Sequence, residues 1–189
     1  MAKEKIIMEN TSPNRVYLRA VEPEDYLTSY RWRSDFEALR YETHRYVSKE
    51  TERKWVLKII EEHETGKSVR LAICLKENNQ LIGYIHLSDI DYQNRSCEIH
   101  TLIGNKEHQG GGFGTEARNM ILRYAFLELG MERVRSRIIA NNAGAIKSGL
   151  KSGYTYEGTL RKAVFQGGQF VDVLLFSILK EEFLQKFNG

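Results

Sequence analysis

Four glycines fall within five residues in the run His108-Gln109-Gly110-Gly111-Gly112-Phe113-Gly114-Thr115-Glu116-Ala117. A strand-like segment, Ile99-His100-Thr101-Leu102-Ile103, precedes it, and a long helical pattern follows. Glycine lets the backbone turn with φ > 0 and come close to a ligand. The first N–H groups of the helix have no intrachain acceptors, and the helix dipole sets roughly half a positive charge beside them. A strand, a glycine turn and a helix start in that order make an anion site, suited to the pyrophosphate of a nucleotide-like cofactor.

The pattern on either side of the turn sets the fold class. Val16 to Val21 alternates as a strand. Glu22-Pro23-Glu24-Asp25 opens a helix, which is expected to continue after a break through Trp32 to Tyr41. His44 to Lys49 reads as a loop. Ser48 or Thr51 can cap the next helix, whose apolar face is Trp55, Val56, Ile59 and Ile60. The period then shortens to two. Val69–Leu75, Leu81–Ile90 and Ser96–Ile103 read as three strands joined by polar turns. After the glycines, Ala117, Met120, Ile121, Tyr124 and Leu127 mark one face of a helix ending near Gly130. Val134 to Ala140 is another strand, and Asn141-Asn142 caps a short helix ending at Gly153. Residues 154–165 and 170–179 form a hairpin, and a short helix follows. Antiparallel hairpins followed by one βαβ unit indicate an α+β, or mixed α/β, fold rather than a doubly wound parallel sheet.

Composition narrows the function classes. A length of 189 residues suits one domain, read as spanning 1–189, and 41% hydrophobic residues supply a core. No segment reaches the ~18 apolar residues of a membrane span. Met1 to Asn10 mixes Lys and Glu without an apolar signal core, which gives a cytoplasmic expectation and no membrane partner. A net charge of +3 is too small to argue for a nucleic-acid partner. Cys74 and Cys97, in strand-like runs, read as buried reduced thiols, and no metal site is expected.

Three glycine-turn chemistries compete. A P-loop needs Gly-Lys-Ser/Thr after its glycines, whereas Gly114 is followed by Thr115-Glu116. A dinucleotide fold places its glycines after the first strand, whereas these follow several antiparallel strands. Coenzyme A fits both the turn and the strand order. Here Gln109-Gly110-Gly111-Gly112-Phe113-Gly114 resembles Gln/Arg-x-x-Gly-x-Gly/Ala, the pyrophosphate loop of the GNAT acetyltransferases. Asn142-Ala143-Gly144-Ala145-Ile146 with Lys151-Ser152-Gly153-Tyr154 resembles the second cofactor motif of that superfamily. Gly158-Thr159-Leu160-Arg161-Lys162, Asp172 and Phe176-Ser177-Ile178-Leu179 are similar to the C-terminal hairpin of one branch, and Trp32-Arg33-Ser34-Asp35 to its early segment. That branch holds ribosomal-protein N-terminal acetyltransferases and, close by, polyamine acetyltransferases. The resemblance covers about residues 15–183.

The resemblance implies a GNAT-like, mostly antiparallel central sheet with a βαβ cofactor unit. It implies transfer of an acetyl group from acetyl-CoA to a primary amine, either a peptide N-terminus or a small-molecule amine. Polyamine or amino-sugar acceptors are the alternatives, as is a CoA-binding protein with little catalysis. Thr101, Leu102 and Ile103 would run beside the pantetheine arm, with Gln109, Gly110, Gly111, Gly112, Phe113, Gly114 and Thr115 on the pyrophosphate and Asn142 across the gap. Strand alternation places Glu98, His100 and Leu102 on one face, where Glu98 is the first candidate for the base and His100 the second. The alternative for Glu98 is a salt-bridge partner. Many relatives carry a Tyr in the short helix as general acid, and the matching position here is Gly149. The acidic cluster Glu22, Glu24, Asp25, Asp35, Glu37 and Glu42 reads either as an acceptor wall or as a solvated helix face, since Arg31, Arg33 and Arg40 are interleaved. The hairpin edge makes a homodimer possible.

Overall fold

A computed structural model describes residues 14–33, 35–37, 39–42 and 46–187. Strand β1 (Val16–Ala20) leads through a 3-10 turn (Pro23–Asp25) into helix α1 (Tyr26–Arg33), and α2 (Lys49–Glu64) follows. Three strands come next: β2 (Val69–Leu75), β3 (Leu81–Asp91) and β4 (Ser96–Ile103). Beyond a 3-10 turn (Lys106–His108) lie α3 (Phe113–Leu127), β5 (Arg133–Ile139) and α4 (Ala143–Lys151). The hairpin β6 (Thr155–Gln166) and β7 (Gln169–Leu179) leads into α5 (Lys180–Phe187).

The helical reading to Tyr41 is corrected by the structure. Asp35 accepts a hydrogen bond from the Glu37 N–H through its own Oδ1 at 3.0 Å, and 35–37 and 39–42 run as turns. A short Asp side chain that captures a nearby N–H competes with the helical ladder and ends it. The expected loop from His44 lies partly outside the described residues. The structure shows Ser48 as the cap of α2, accepting from the Thr51 N–H at 3.0 Å.

The strands make one seven-stranded sheet in the order β1-β2-β3-β4-β5-β7-β6. Five neighbouring pairs are antiparallel, and β4–β5 is parallel. That parallel pair holds over a short stretch, from Ser96↔Arg133 to Glu98↔Arg135. From Ile99 and Ser136 onward the strands part: β4 keeps its partner β3 to Ile103, and β5 keeps β7 to Ile139. A fork therefore opens in the middle of the sheet, directly ahead of the glycine turn.

Each face of the sheet has its own core. On one, Cys97, Ile99, Ile85 and Leu87 pack with Met120, Ile121 and Phe126 of α3, together with Tyr154 and Ile178. On the other, Tyr84, Ala72 and Cys74 pack with Trp32 of α1 and with Val56 and Ile59 of α2. Side chains alternate along a strand, so Cys97, Ile99, Thr101 and Ile103 turn toward α3, while Glu98, His100 and Leu102 turn toward α1 and α2. Cys74 and Cys97 are buried free thiols, and burial pushes the Cys97 thiol up to about 12. Among the described residues, no helix is long and apolar enough to cross a membrane, and no three His, Cys, Asp or Glu side chains gather to hold a metal.

Candidate functional site

The open end of the fork meets a cavity of about 650 Å³. Its walls come from β4, the glycine turn, the first turns of α3, the start of α4 and the 37–42 turn. Of the residues expected to touch a cofactor, Thr101, Leu102, Ile103, Gln109, Gly110, Gly112, Gly114, Thr115 and Asn142 line it, whereas Gly111 and Phe113 stand behind it.

The turn is held open from outside. Gly110 and Gly112 have φ of 76° and 89°, and Gly112 is the left-handed residue from which α3 starts. A side chain there would meet the usual penalty for left-handed backbone. The Gln109 side chain donates to the Ile103 carbonyl at 2.8 Å and ties the turn to the end of β4. Arg15, just before β1, donates to the Gly111 carbonyl at 2.7 Å and through Nε to Glu116 of α3 at 2.8 Å. Its guanidinium carbon lies 4.2 Å from the centroid of the Phe113 ring, which explains why Gly111 and Phe113 face away from the cavity. Arg15 could not be found from local patterning, because its carboxylate partner is 101 positions away.

The expectation that every N–H from Gln109 to Thr115 is available needs correction at both ends. Gln109 N–H donates to the Lys106 carbonyl at 3.1 Å and Thr115 N–H to the Gly112 carbonyl at 3.0 Å. The 3-10 turn and the first turn of α3 consume them. Asn142 is likewise half-committed. Its Oδ1 accepts from Ala145 N–H at 3.0 Å as the cap of α4, so its amide nitrogen is the group left for a ligand.

The cavity fits a thioester nucleotide. The left-handed glycines expose backbone at the anion end, and Lys147 and Lys151 of α4 bring positive charge to the same walls. Thr101 Oγ1, on the α3 side of β4, is buried without a hydrogen-bond partner among the described residues. A polar atom left that way costs free energy until something bonds to it.

Glu98 and His100 lie on the other side of the fork and do not line the cavity. Glu98 is 2% exposed and is held by Arg137 Nε at 2.8 Å and Arg135 Nε at 3.3 Å. The salt-bridge alternative thus describes its contacts. His100 Nε2 lies 3.3 Å from Glu98 Oε1, and its ring stacks on His86 with centroids 4.5 Å apart. Burial lowers the pKa of His100, partly opposed by the Glu98 charge. Burial also lowers that of His86, to about 2, helped by Arg70 and His100. Both imidazoles are therefore neutral near pH 7. Glu42, whose charge favours the protonated form of His100, lines the cavity and links the two sides.

The early acidic cluster separates in space. Asp25 is taken up by Arg19, with contacts of 2.7 and 2.8 Å, whereas Glu37 and Glu42 line the cavity.

Comparison with known proteins matches this geometry. Residues 15–155 match the acetyltransferase (GNAT) domain family. An uncharacterised N-acetyltransferase, p20 of Bacillus licheniformis, is 29% identical over 177 residues, covering 93% of this chain and 99% of that protein. A putative ribosomal N-acetyltransferase of Bacillus subtilis (strain 168) is 32% identical over 105 residues, 56% of this chain and 57% of that protein. The crystal structure of a spermidine N-acetyltransferase from Vibrio cholerae, in complex with CoA and spermine, superposes with a TM-score of 0.79 at 25% identity, covering 90% of this chain and 98% of that one. The forked sheet, the glycine turn and the match over most of the length make this chain a member of the GNAT acetyltransferase family, enzymes that carry an acetyl group from acetyl-CoA to an amine.

Proposed function

We propose that this chain, acting as one domain over 1–189 in the cytoplasm, acetylates a small cationic amine, with His100 as the base and Glu98 as its positioning partner. The observation that carries the acceptor class is Glu37 and Glu42 on the wall of the same cavity that the glycine turn lines. These two carboxylates, on the 37–42 turn with Arg40 and apart in sequence from Lys147 and Lys151 of α4, favour a protonated amine over a neutral one beside that turn. A peptide N-terminus is the second acceptor class, and the resemblance to the ribosomal branch keeps it in the test. Acetyl-CoA supplies the activated acyl carbon. In this reading the amides of Gly110 to Gly114 hold its pyrophosphate. The backbone of Thr101, Leu102 and Ile103 lies beside its arm, as an added strand would.

A primary amine is mostly protonated at pH 7 and must lose that proton to attack. The Glu98 oxygens are taken up by Arg135 and Arg137, which leaves His100 as the group of the pair open to an amine. His100 is neutral and its side chain is 38% exposed. With the proton on Nε2, the nitrogen 3.3 Å from Glu98 Oε1, the Nδ1 lone pair is the one to take a proton from the amine, directly or through water. The homodimer expected from sequence falls, in this reading, on the β6–β7 hairpin, where Leu160, Phe165 and Phe170 are exposed.

The test is thiol release from acetyl-CoA with spermidine, an amino sugar and a short peptide as acceptors. Spermidine is expected to be preferred, and Glu42→Gln to raise its KM. His100→Gln is expected to lower kcat by about 10²-fold, the usual worth of a general base. The wild-type rate should fall with decreasing pH as His100 gains a proton, and that limb should vanish in the variant. Peptide preferred over spermidine, or an unchanged pH profile, would reject the acceptor class or the base respectively.

A further inference from the structure

Arg118 is a cation on the apolar stripe of α3, three and four residues before the buried Ile121 and Leu122. It is 5% exposed and lines the cavity. Its Nε and Nη1 are buried without hydrogen-bond partners among the described residues. Its guanidinium carbon lies 5.6 Å from the centroid of the Tyr154 ring. It occupies space that exists because residue 149 is glycine: a Cβ on Gly149 would come 3.2 Å from Arg118 Nη1. A buried cation with unsatisfied donors is costly unless an anion meets it.

The fold indicates which anion. The glycine turn is at the open end of the fork. Arg118 stands five residues past Phe113, about 7.5 Å farther along α3. It stacks on Tyr154, which packs in the same cluster as Cys97, and Cys97↔Val134 is one of the pairs that close the fork. A molecule anchored by its phosphates at the turn and extended into the fork brings its far end toward Arg118. Glu98 and His100 are on the opposite face, so the amine and its base approach from there. In the acetyl-CoA reading the sulfur ends an arm anchored at the glycine turn and laid along β4, in the cavity that Arg118 lines.

We propose that Arg118, in the space left by Gly149, stabilises the negative charge on the coenzyme A sulfur as the thiol group departs. The inference rests on the acetyl-CoA reading of the cavity. In the step, the amine lone pair forms the C–N bond and the C–S bond breaks, its electron pair passing to sulfur. His100, having passed the first ammonium proton on to water, takes the second as the C–N bond forms, and Arg118 stays protonated. The thiolate takes its proton from water after release. Arg118 thus substitutes a fixed charge for the proton that a hydroxyl at position 149 would give.

The experiment titrates the thiol of CoA bound to the intact protein, followed by the ultraviolet absorbance of the thiolate, with calorimetric affinities for CoA and desulfo-CoA alongside. In the wild type the bound thiol is expected to ionise at least about one pH unit below free CoA, a tenfold gain in thiolate. Arg118→Met should erase that shift and weaken CoA binding above the thiol pKa while leaving desulfo-CoA binding unchanged. Arg118→Lys should keep part of the shift. A wild-type bound thiol that titrates like free CoA overturns the inference even if Arg118→Met does not fold. So does equal loss of CoA and desulfo-CoA affinity in Arg118→Met, which would assign Arg118 to the phosphates. So does a wild-type preference for succinyl-CoA over acetyl-CoA that Arg118→Met abolishes, which would assign it to an acyl carboxylate. Failure of the wild type to bind CoA at all would instead reject the underlying cofactor reading.

Discussion

On the α3 side of the fork the glycine turn presents main chain to the cavity, bent by Gly110 and Gly112 and tied down by Gln109 and Arg15. On the α1–α2 side lies a lattice of charged and titratable side chains: Glu98 between Arg135 and Arg137, and His100 stacked on His86. In the function proposed above, the glycine turn meets a group common to every acyl-CoA, for which backbone shape suffices. In the same proposal the second side moves a proton, a task for side chains whose charge states are set by their neighbours. Perturbing backbone shape should therefore cost binding, and perturbing the lattice should change pH behaviour.

The sharpest break in the comparison is Gly112→Val. At φ of 89° a β-branched residue is strained by about 1–2 kcal/mol or more, and the new Cβ would lie 3.3 Å from Arg15 Nη2. Relief of that strain closes the turn on the anion site. CoA affinity measured by calorimetry should fall by about 100-fold, close to 2.7 kcal/mol, while urea unfolding shifts by no more than about 2 kcal/mol. Affinity within about threefold of wild type would mean that the turn does not hold the phosphates.

The same contrast decides what could be read without coordinates. The glycine turn, β4 and the Asn142 cap are local: each is a residue type required by its own backbone, so spacing alone reveals them. The strand boundaries follow from alternation in the same way. Arg15 acts on a turn 96 positions away through a carbonyl, and no periodicity marks it. Arg118 did leave a trace, a cation on an apolar stripe, but only the absent side chain of Gly149 gives it meaning. The competition between roles at Glu98 was legible. Its partners were not, because Arg135 and Arg137 come alongside only when β5 pairs in parallel with β4.

A smaller effect tests the lattice. Folded His86 has its pKa lowered to about 2 by burial, with Arg70 and His100 facing it, against about 6.5 for the unfolded chain. Between those values the unfolded state binds one more proton than the native state. Stability therefore falls as pH drops below about 6.5, by up to about 1.4 kcal/mol per pH unit. His100, shifted in the same direction, adds to the slope. His86→Phe keeps an aromatic ring against His100 and removes one titrating group. Urea midpoints at a series of pH values should show a shallower acid slope in the variant, and equal slopes would mean that His86 is protonated in the fold.

The smallest expected effect falls on the support of the turn. Arg15 bonds Gly111 and Glu116 and covers Phe113, but its side chain is 53% exposed, so water screens the ion pair with Glu116. Exposed pairs of this kind contribute about 0–1 kcal/mol. Arg15→Met retains a stem to lie on Phe113 and loses both the pair and the bond to the Gly111 carbonyl. The turn keeps its shape from its own glycines, so the variant should bind CoA only about threefold to fivefold more weakly, with added salt narrowing the difference. A loss as large as that of Gly112→Val would reverse the argument, because the shape of the turn would then be imposed by a side chain across the sheet rather than built into the backbone.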